Sequence, residues 1–311
     1  MSRCTITKKF RGYVELLRPP LAPMDLALPG ATALLAVYAT TGGLPALLPF
    51  VIATIGAYFA ITSSYVYNDC CDVDVDMVGM PDRPLPSAQI SKGSALIYSL
   101  LLFGMAGLVA LYLNPESLMA LIMATLIMAL YSKWAKRNTP FSWVFVGLAF
   151  GIVPIGVWLA MAPAGYLKMG PGLHLGALIL GAMIGITDCG FTNCDASRDV
   201  EGDRRKGIPT LPVTYGIPLT SKFVAVTWIA GLLLSLALGW TTNLGFIYFI
   251  VASVAGVWMV YQSLDFVRHP TDVRGNRVFY QGANYRAVLF AALIVDVFLR
   301  ATVASYPGLF I

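Results

Sequence analysis

Nine apolar stretches separated by short polar connections leave this chain few ways to fold. They run roughly 21–40, 45–67, 93–113, 115–132, 141–162, 172–192, 219–240, 243–263 and 286–306. Each approaches the ~20 residues that an α-helix needs to cross the hydrocarbon layer of a bilayer. Of 311 residues, 58% are hydrophobic and only 12% charged, too few charges to cover a soluble globule of this size. In lipid every backbone polar group has to be satisfied within the segment, so spans of this length are read as helices. The expectation is an all-α integral membrane protein, one polytopic domain over residues 1–311.

Orientation follows from the basic residues, which concentrate in cytoplasmic loops. With the N-terminus cytoplasmic, that side receives all 21 lysines and arginines except Lys168 and Arg300. Among them are Arg274, Arg277 and Arg286, assigned to the loop before the last span. The first 18 residues lack the apolar core of a cleavable leader and read as a basic interfacial segment. The five cysteines fall on the cytoplasmic side, so no disulfide is expected, and their spacing matches no standard zinc pattern.

Ten of the 16 acidic residues lie in two windows, at 69–82 and 188–203. In the first, NDCCDVDVD, Asn68, Asp72 and Asp76 recur at intervals of four. In the second, DASRDVEGD, Asp195, Asp199 and Asp203 do the same, 127 residues later. PDRPLPS (81–87) follows the first set and GIPTLPV (207–213) the second. This spacing suggests two related four-helix units plus one N-terminal helix, with both acidic ends on the same side. The resulting cytoplasmic loops cover about 68–92 and 188–217.

Helical positions four apart share a face, so each trio projects in one direction, with Asp69 at the edge of the first. A solvated cytoplasmic rim would also be acidic, but it would not repeat twice at helical spacing with cations after each set. Acids this close repel one another unless a cation intervenes. Oxygen-only ligands suit hard cations, and Mg2+ in particular is held by one or two carboxylates plus substrate phosphates. Two facing clusters predict two Mg2+ ions bridged by a polyphosphate. Asn68, Asp72, Asp76, Asp195, Asp199 and Asp203 are the expected metal ligands. Asn68, Arg83, Tyr131, Lys136, Arg137, Arg204 and Lys206 are the expected diphosphate contacts. Asp74 points off the stripe and is expected to be solvated.

A diphosphate at the mouth of an apolar bundle calls for an amphiphilic substrate. An allylic prenyl diphosphate fits, because neutralising the departing diphosphate leaves a delocalised carbocation that aromatic faces can shield. The catalytic set is then Asp69, Asp72, Asp199, Lys136 and Arg83, with Asp69 as a general base for a hydroxyl acceptor. A CDP-alcohol phosphotransferase would need a D-x-x-D-G-x-x-A-R pattern absent here. A cation transporter would place its acids at mid-membrane rather than at span ends.

With LLRPPLAP (16–23), the YSKWAKR segment (131–137) and GIPTLPVTYG added, the chain resembles the UbiA superfamily of intramembrane prenyltransferases. That resemblance implies a nine-helix bundle around a central cavity, two Mg2+ ions and a prenyl diphosphate donor. Many members have Asn-Asp where this chain has Asp195-Ala196. PDRPLPS and DVEGDRRKGIPTLPV look most like the branch containing the archaeal digeranylgeranylglyceryl phosphate synthases and the chlorophyll synthases. In the former a geranylgeranyl group passes to the free hydroxyl of geranylgeranylglyceryl phosphate in ether-lipid synthesis, which is the reaction expected of this chain. Chlorophyllide esterification and prenylation of a hydroxybenzoate or homogentisate are the alternatives. The expected site is a cell membrane with catalysis facing the cytoplasm. The expected partners are the donor and a lipophilic acceptor, with no nucleic acid and no protein partner.

Overall fold

The computed structural model describes residues 3–166 and 170–305, and Lys168 lies outside them. Among these residues there is no strand. A surface helix, α1 (Arg3–Leu16), leads through Arg18 and a 3-10 turn (Pro19–Leu21) into α2 (Ala22–Thr41). Then come α3 (Leu47–Cys71), the short α4 (Val73–Gly79), α5 (Lys92–Leu113) and α6 (Pro115–Leu130). A π-helical turn (Tyr131–Ala135) extends α6 into α7 (Lys136–Asn138), followed by α8 (Trp143–Met161) and α9 (Leu175–Arg198). Two short helices, α10 (Val200–Arg205) and α11 (Leu211–Tyr215), precede α12 (Ile217–Thr241), α13 (Phe246–Arg268) and α14 (Asp272–Ser305). Nine helices among the described residues are long and apolar enough to cross a membrane, in agreement with the hydropathy reading.

Three boundaries depart from the sequence reading. The second span runs on to Cys71, beyond the apolar run. The last begins at Asp272 rather than 286, because its polar opening turns stay helical against α9 and α13, where Arg274 pairs with Asp265 at 2.8 Å. Arg286 is therefore no loop residue. It lies inside the bundle, 5% exposed. The third departure concerns the acidic motifs, whose four-residue spacing implied continuous helices. The helix breaks at Asp72 (φ −104°, ψ 11°) and at the corresponding Asp199 (φ −113°, ψ 30°). Both lie near the sparsely populated bridge region where active-site residues are often found.

The core lies between α2, α8, α9, α12, α13 and α14, filled by Trp158, Trp228, Tyr248 and Phe266 among others. Where α8 crosses α9, Gly147 and Gly151 meet Gly181 and Gly185 backbone to backbone. A Cβ on Gly147 would come within 2.7 Å of the Gly185 carbonyl, and one on Gly181 within 2.8 Å of the Gly151 carbonyl. Small residues let membrane helices approach this closely. Gly181→Ala is expected to cost about 1–3 kcal/mol, the usual penalty of overpacking, seen as a lower unfolding temperature in detergent.

α5 and α6 bury only 17% of their spanning windows, against 50% for α9 and α14, so they form the lipid-facing flank. An apolar cleft of about 750 Å³, open mouth included, lies between α3, α5, α6 and α8 and is lined by Ala57, Ser64, Val109, Leu121, Phe150 and Val153 among others. It is walled by four helices on one side of the molecule rather than enclosed by all nine.

Candidate active site

The first acidic motif is buried. Asp69, Asp72 and Asp76 are 6%, 3% and 5% exposed, at the point where α3 gives way to α4. Charges this deep are costly unless paired, and each is paired. Arg83, from the proline-containing loop, donates to Asp76 at 2.8 Å and to Asp69 at 3.4 Å. Arg18 donates to Asp69 at 2.8 Å, and its guanidinium lies 4.7 Å above the Tyr65 ring. Arg18 holds a left-handed backbone (φ 51°, ψ 62°), strain that a non-glycine residue bears rarely and that clusters at functional sites. Asn68 donates to Ser132 at 3.2 Å, in the π-helical turn. Lys136, from the same extension of α6, pairs with Asp72.

The second motif is more open. Asp199 is exposed, while Asp195 and Asp203 are half-buried. Asp195 is turned to Arg198. The Asp199 carboxylate lies over Gly202, where any Cβ would overlap it. Asp203 accepts from Thr210 at 3.3 Å. Partial burial, reinforced by the neighbouring Asp199 charge, pushes Asp203 up to about 6.

Lys136 and Tyr131 stand between the motifs. Lys136 is paired to Asp72 and also within electrostatic reach of Asp76 and of Asp203. Tyr131 senses Asp72 of one motif and Asp195 and Asp203 of the other. The π-helical turn and the start of α7 thus carry Tyr131 and Lys136 into the gap between two acidic segments.

Not every expected contact is in place. Arg137 grips Asp74 with two bonds, at 2.7 and 2.9 Å, and donates to the Cys71 carbonyl at 3.0 Å. Asp74 is thus ion-paired rather than merely solvated, and Arg137 holds it down to about 2. Arg204 and Arg205 both turn outward to Glu201. Lys206 lies within electrostatic reach of Asp203. Ser132 and Thr210 escaped the sequence reading, which had no means of placing neutral hydroxyls against distant motifs.

Two features bear on whether a hard cation fits. One oxygen of Asp72, Oδ1, is buried without a hydrogen-bond donor, a group that asks for a positive partner. Among the described residues no three carboxylates, thiolates or imidazoles converge into a protein-only metal cage. One or two carboxylates per motif, completed by substrate oxygens, is the arrangement that suits Mg2+.

Residues 30–294 match the model of the UbiA prenyltransferase family. The chain belongs to that family. This UbiA member is a multi-pass membrane enzyme, a prenyltransferase. It is 28% identical to the digeranylgeranylglyceryl phosphate synthase of Thermococcus sibiricus, over 86% of this chain and 90% of that protein. It is also 31% identical to the protoheme IX farnesyltransferase of Mycobacteroides abscessus, over 82% and 79%. The fold matches that of a UbiA homologue from Aeropyrum pernix, with a TM-score of 0.70, 20% identity and coverage of 88% and 97%. A UbiA homologue from Archaeoglobus fulgidus, solved with geranyl diphosphate and Mg2+, aligns with a TM-score of 0.58 at 18% identity, over 91% and 99%.

Proposed function

We propose that this UbiA enzyme transfers a geranylgeranyl group from its allylic diphosphate to the free hydroxyl of geranylgeranylglyceryl phosphate, releasing diphosphate at the cytoplasmic face of the cell membrane. The observation that carries the reading is the position of Lys136 and Tyr131 between two acidic motifs, with an apolar cleft beginning one helical turn below Asn68, at Ser64. The diphosphate belongs in that gap and the prenyl tail in the cleft. Asn68, Asp72 and Asp76 would hold one Mg2+, and Asp195, Asp199 and Asp203 a second. The bound metal supplies charge neutralisation of the departing diphosphate.

The chain's own groups do the rest. Lys136, beside Asp72 at the edge of solvent, would donate to a phosphate oxygen of the bound donor. Arg83 and Arg18 hold Asp69 and Asp76 in place and present their remaining N–H groups to the same region. Tyr131 donates its hydroxyl to the leaving group. Together these place donors where negative charge develops as the carbon–oxygen bond breaks. The tail, screened by apolar walls, keeps the allylic cation away from water.

The Thermococcus relative supports geranylgeranylglyceryl phosphate as acceptor, and the Mycobacteroides relative supports a second reading, farnesyl transfer to protohaem. An acceptor panel in proteoliposomes separates them, with labelled geranylgeranyl or farnesyl diphosphate offered against geranylgeranylglyceryl phosphate, protohaem, a chlorophyllide and hydroxybenzoate. The expected product is the Mg2+-dependent diether phosphate. A product with protohaem alone would favour the second reading, and none with any acceptor would remove both.

Protons compete with the metal at Asp203. Its carboxyl titrates near 6, so below that pH a proton must leave before the metal binds. Apparent Mg2+ affinity is expected to weaken up to about tenfold per pH unit below 6 and to level off above it, as titration calorimetry would show. Stability runs the other way. This carboxyl sits above its ordinary value, so ionising it costs the metal-free fold stability as pH rises from about 4 to 6. Added Mg2+ should therefore raise the unfolding temperature more at pH 7 than at pH 5.

A further inference from the structure

Below the diphosphate site a second polar cluster lies within the bundle. Asp25 of α2 is 3% exposed. Its Oδ1 accepts from the Tyr65 hydroxyl at 3.1 Å, and its Oδ2 has no hydrogen-bond partner among the described residues. Tyr65 lies one turn inside Asp69, beneath the Arg18 guanidinium. From the opposite side, Arg286 of α14 donates to Asp188 of α9 at 3.1 Å and to Thr187 at 3.0 Å, leaving its Nε without a partner. Arg18, Asp188 and Arg286 all lie within electrostatic reach of Asp25.

Ionisable groups inside a membrane protein are expensive, and a structural role should leave them satisfied. Asp188 Oδ2 also lacks a hydrogen bond, but it lies 3.1 Å from the Arg286 guanidinium in an ion pair. Asp25 Oδ2 has neither a hydrogen bond nor an ion pair among the described residues, since Arg18 is taken by Asp69. An acceptor-only oxygen asks for an O–H, and a guanidinium Nε asks for an oxygen. Depth agrees with such a ligand. Tyr65 lies one turn inside Asp69 on α3, and its sequence neighbour Ser64 is the α3 residue of the cleft nearest the acidic motif. The donor's reacting carbon belongs at this level if the diphosphate lies above and the tail below.

We propose that Asp25 Oδ2 takes the proton from the acceptor's hydroxyl during prenyl transfer, with Tyr65 fixing the carboxylate and Arg286 holding a neighbouring acceptor oxygen. The assignment rests on the prenyl-transfer reading and deepens it. The C1–O bond of the donor breaks and its electron pair leaves on the diphosphate. A lone pair of the acceptor oxygen forms the new C–O bond to C1. The O–H electron pair stays on that oxygen as its proton passes to Asp25, which later returns the proton to water. Asp69 is less suited to the task, because its Oδ1 already receives Arg18 and Arg83. The chemistry also selects the acceptor. Arg18 and Arg286 are already paired with Asp69 and Asp188 and leave no spare positive charge for an anion, so a neutral hydroxyl belongs here and any phosphate it carries must point to the mouth.

The test uses the full chain in lipid, with labelled geranylgeranyl diphosphate, Mg2+ and an accepted hydroxyl substrate. Asp25→Asn is expected to bind the donor within about twofold of wild type, since the diphosphate contacts are untouched. Its turnover should fall about 10²–10⁴-fold, the usual range for a lost general base. Tyr65→Phe removes the hydrogen bond that orients the Asp25 carboxylate. It should lower kcat about tenfold while leaving the KM for the donor within about twofold, since no diphosphate contact changes. Wild-type turnover in Asp25→Asn would overturn the assignment. Should that variant not fold, an unchanged kcat in Tyr65→Phe would overturn it instead. A wild-type chain that binds the donor but prenylates no acceptor would sink the prenyl-transfer reading itself.

Discussion

An Asp72→Asn enzyme is expected to turn over about 10³-fold more slowly than wild type, the scale seen when a charge-stabilising group is removed from an active site. Asp72 is where α3 ends, 3% exposed, with Oδ1 lacking a hydrogen-bond donor and Lys136 on Oδ2. The substitution keeps shape and removes the charge that would bring metal and diphosphate together. Because Lys136 then loses only an ion partner at the edge of solvent, the unfolding temperature without metal should move little. Steady-state prenyl transfer and a thermal melt on one preparation check both halves, and turnover within tenfold of wild type would remove Asp72 from the metal set.

Lys136→Met should lower turnover by about 10²–10³-fold and, unlike Asp72→Asn, also destabilise the fold. Its ammonium is the principal cation on Asp72, since Arg137 stands 3.9 Å away and is committed to Asp74. Breaking a buried pair leaves an uncompensated charge, at about 3–5 kcal/mol. The lower end applies here because the lysine side chain is 22% exposed. Mg2+ should restore much of that stability, since a divalent ion supplies the lost positive charge. A melt with and without Mg2+ distinguishes this from a packing defect, which the ion would leave uncorrected.

The helices were legible because hydropathy is a property of composition, which needs no tertiary contact. The acidic motifs and their cationic surroundings were equally plain, since chemistry of that kind leaves charged letters at helical spacing. What the letters hid was the break at Asp72 and Asp199. A run of acids four apart reads as a continuous helix, whereas the helices end there and a short one follows each. Hidden too was the division of labour among cations. Arg137 and Arg204 carry the same charge as Lys136, but they face Asp74 and Glu201, and only packing decides which basic residue turns inward. Arg286 was counted as a loop cation because charge alone set its place. Its burial beside Asp188 depends on α14 starting several turns earlier than its apolar run.

The thin covering on α5 and α6 has a kinetic meaning. With the prenyl tail placed as proposed, a cleft walled partly by helices that face the acyl chains would take its substrates from a two-dimensional solution. The concentration that governs rate is then a mole fraction within the leaflet rather than a molarity in water. Diluting donor and acceptor with inert phospholipid slows such an enzyme although the amount of each in the tube is unchanged. On that placement, membrane composition would set the flux.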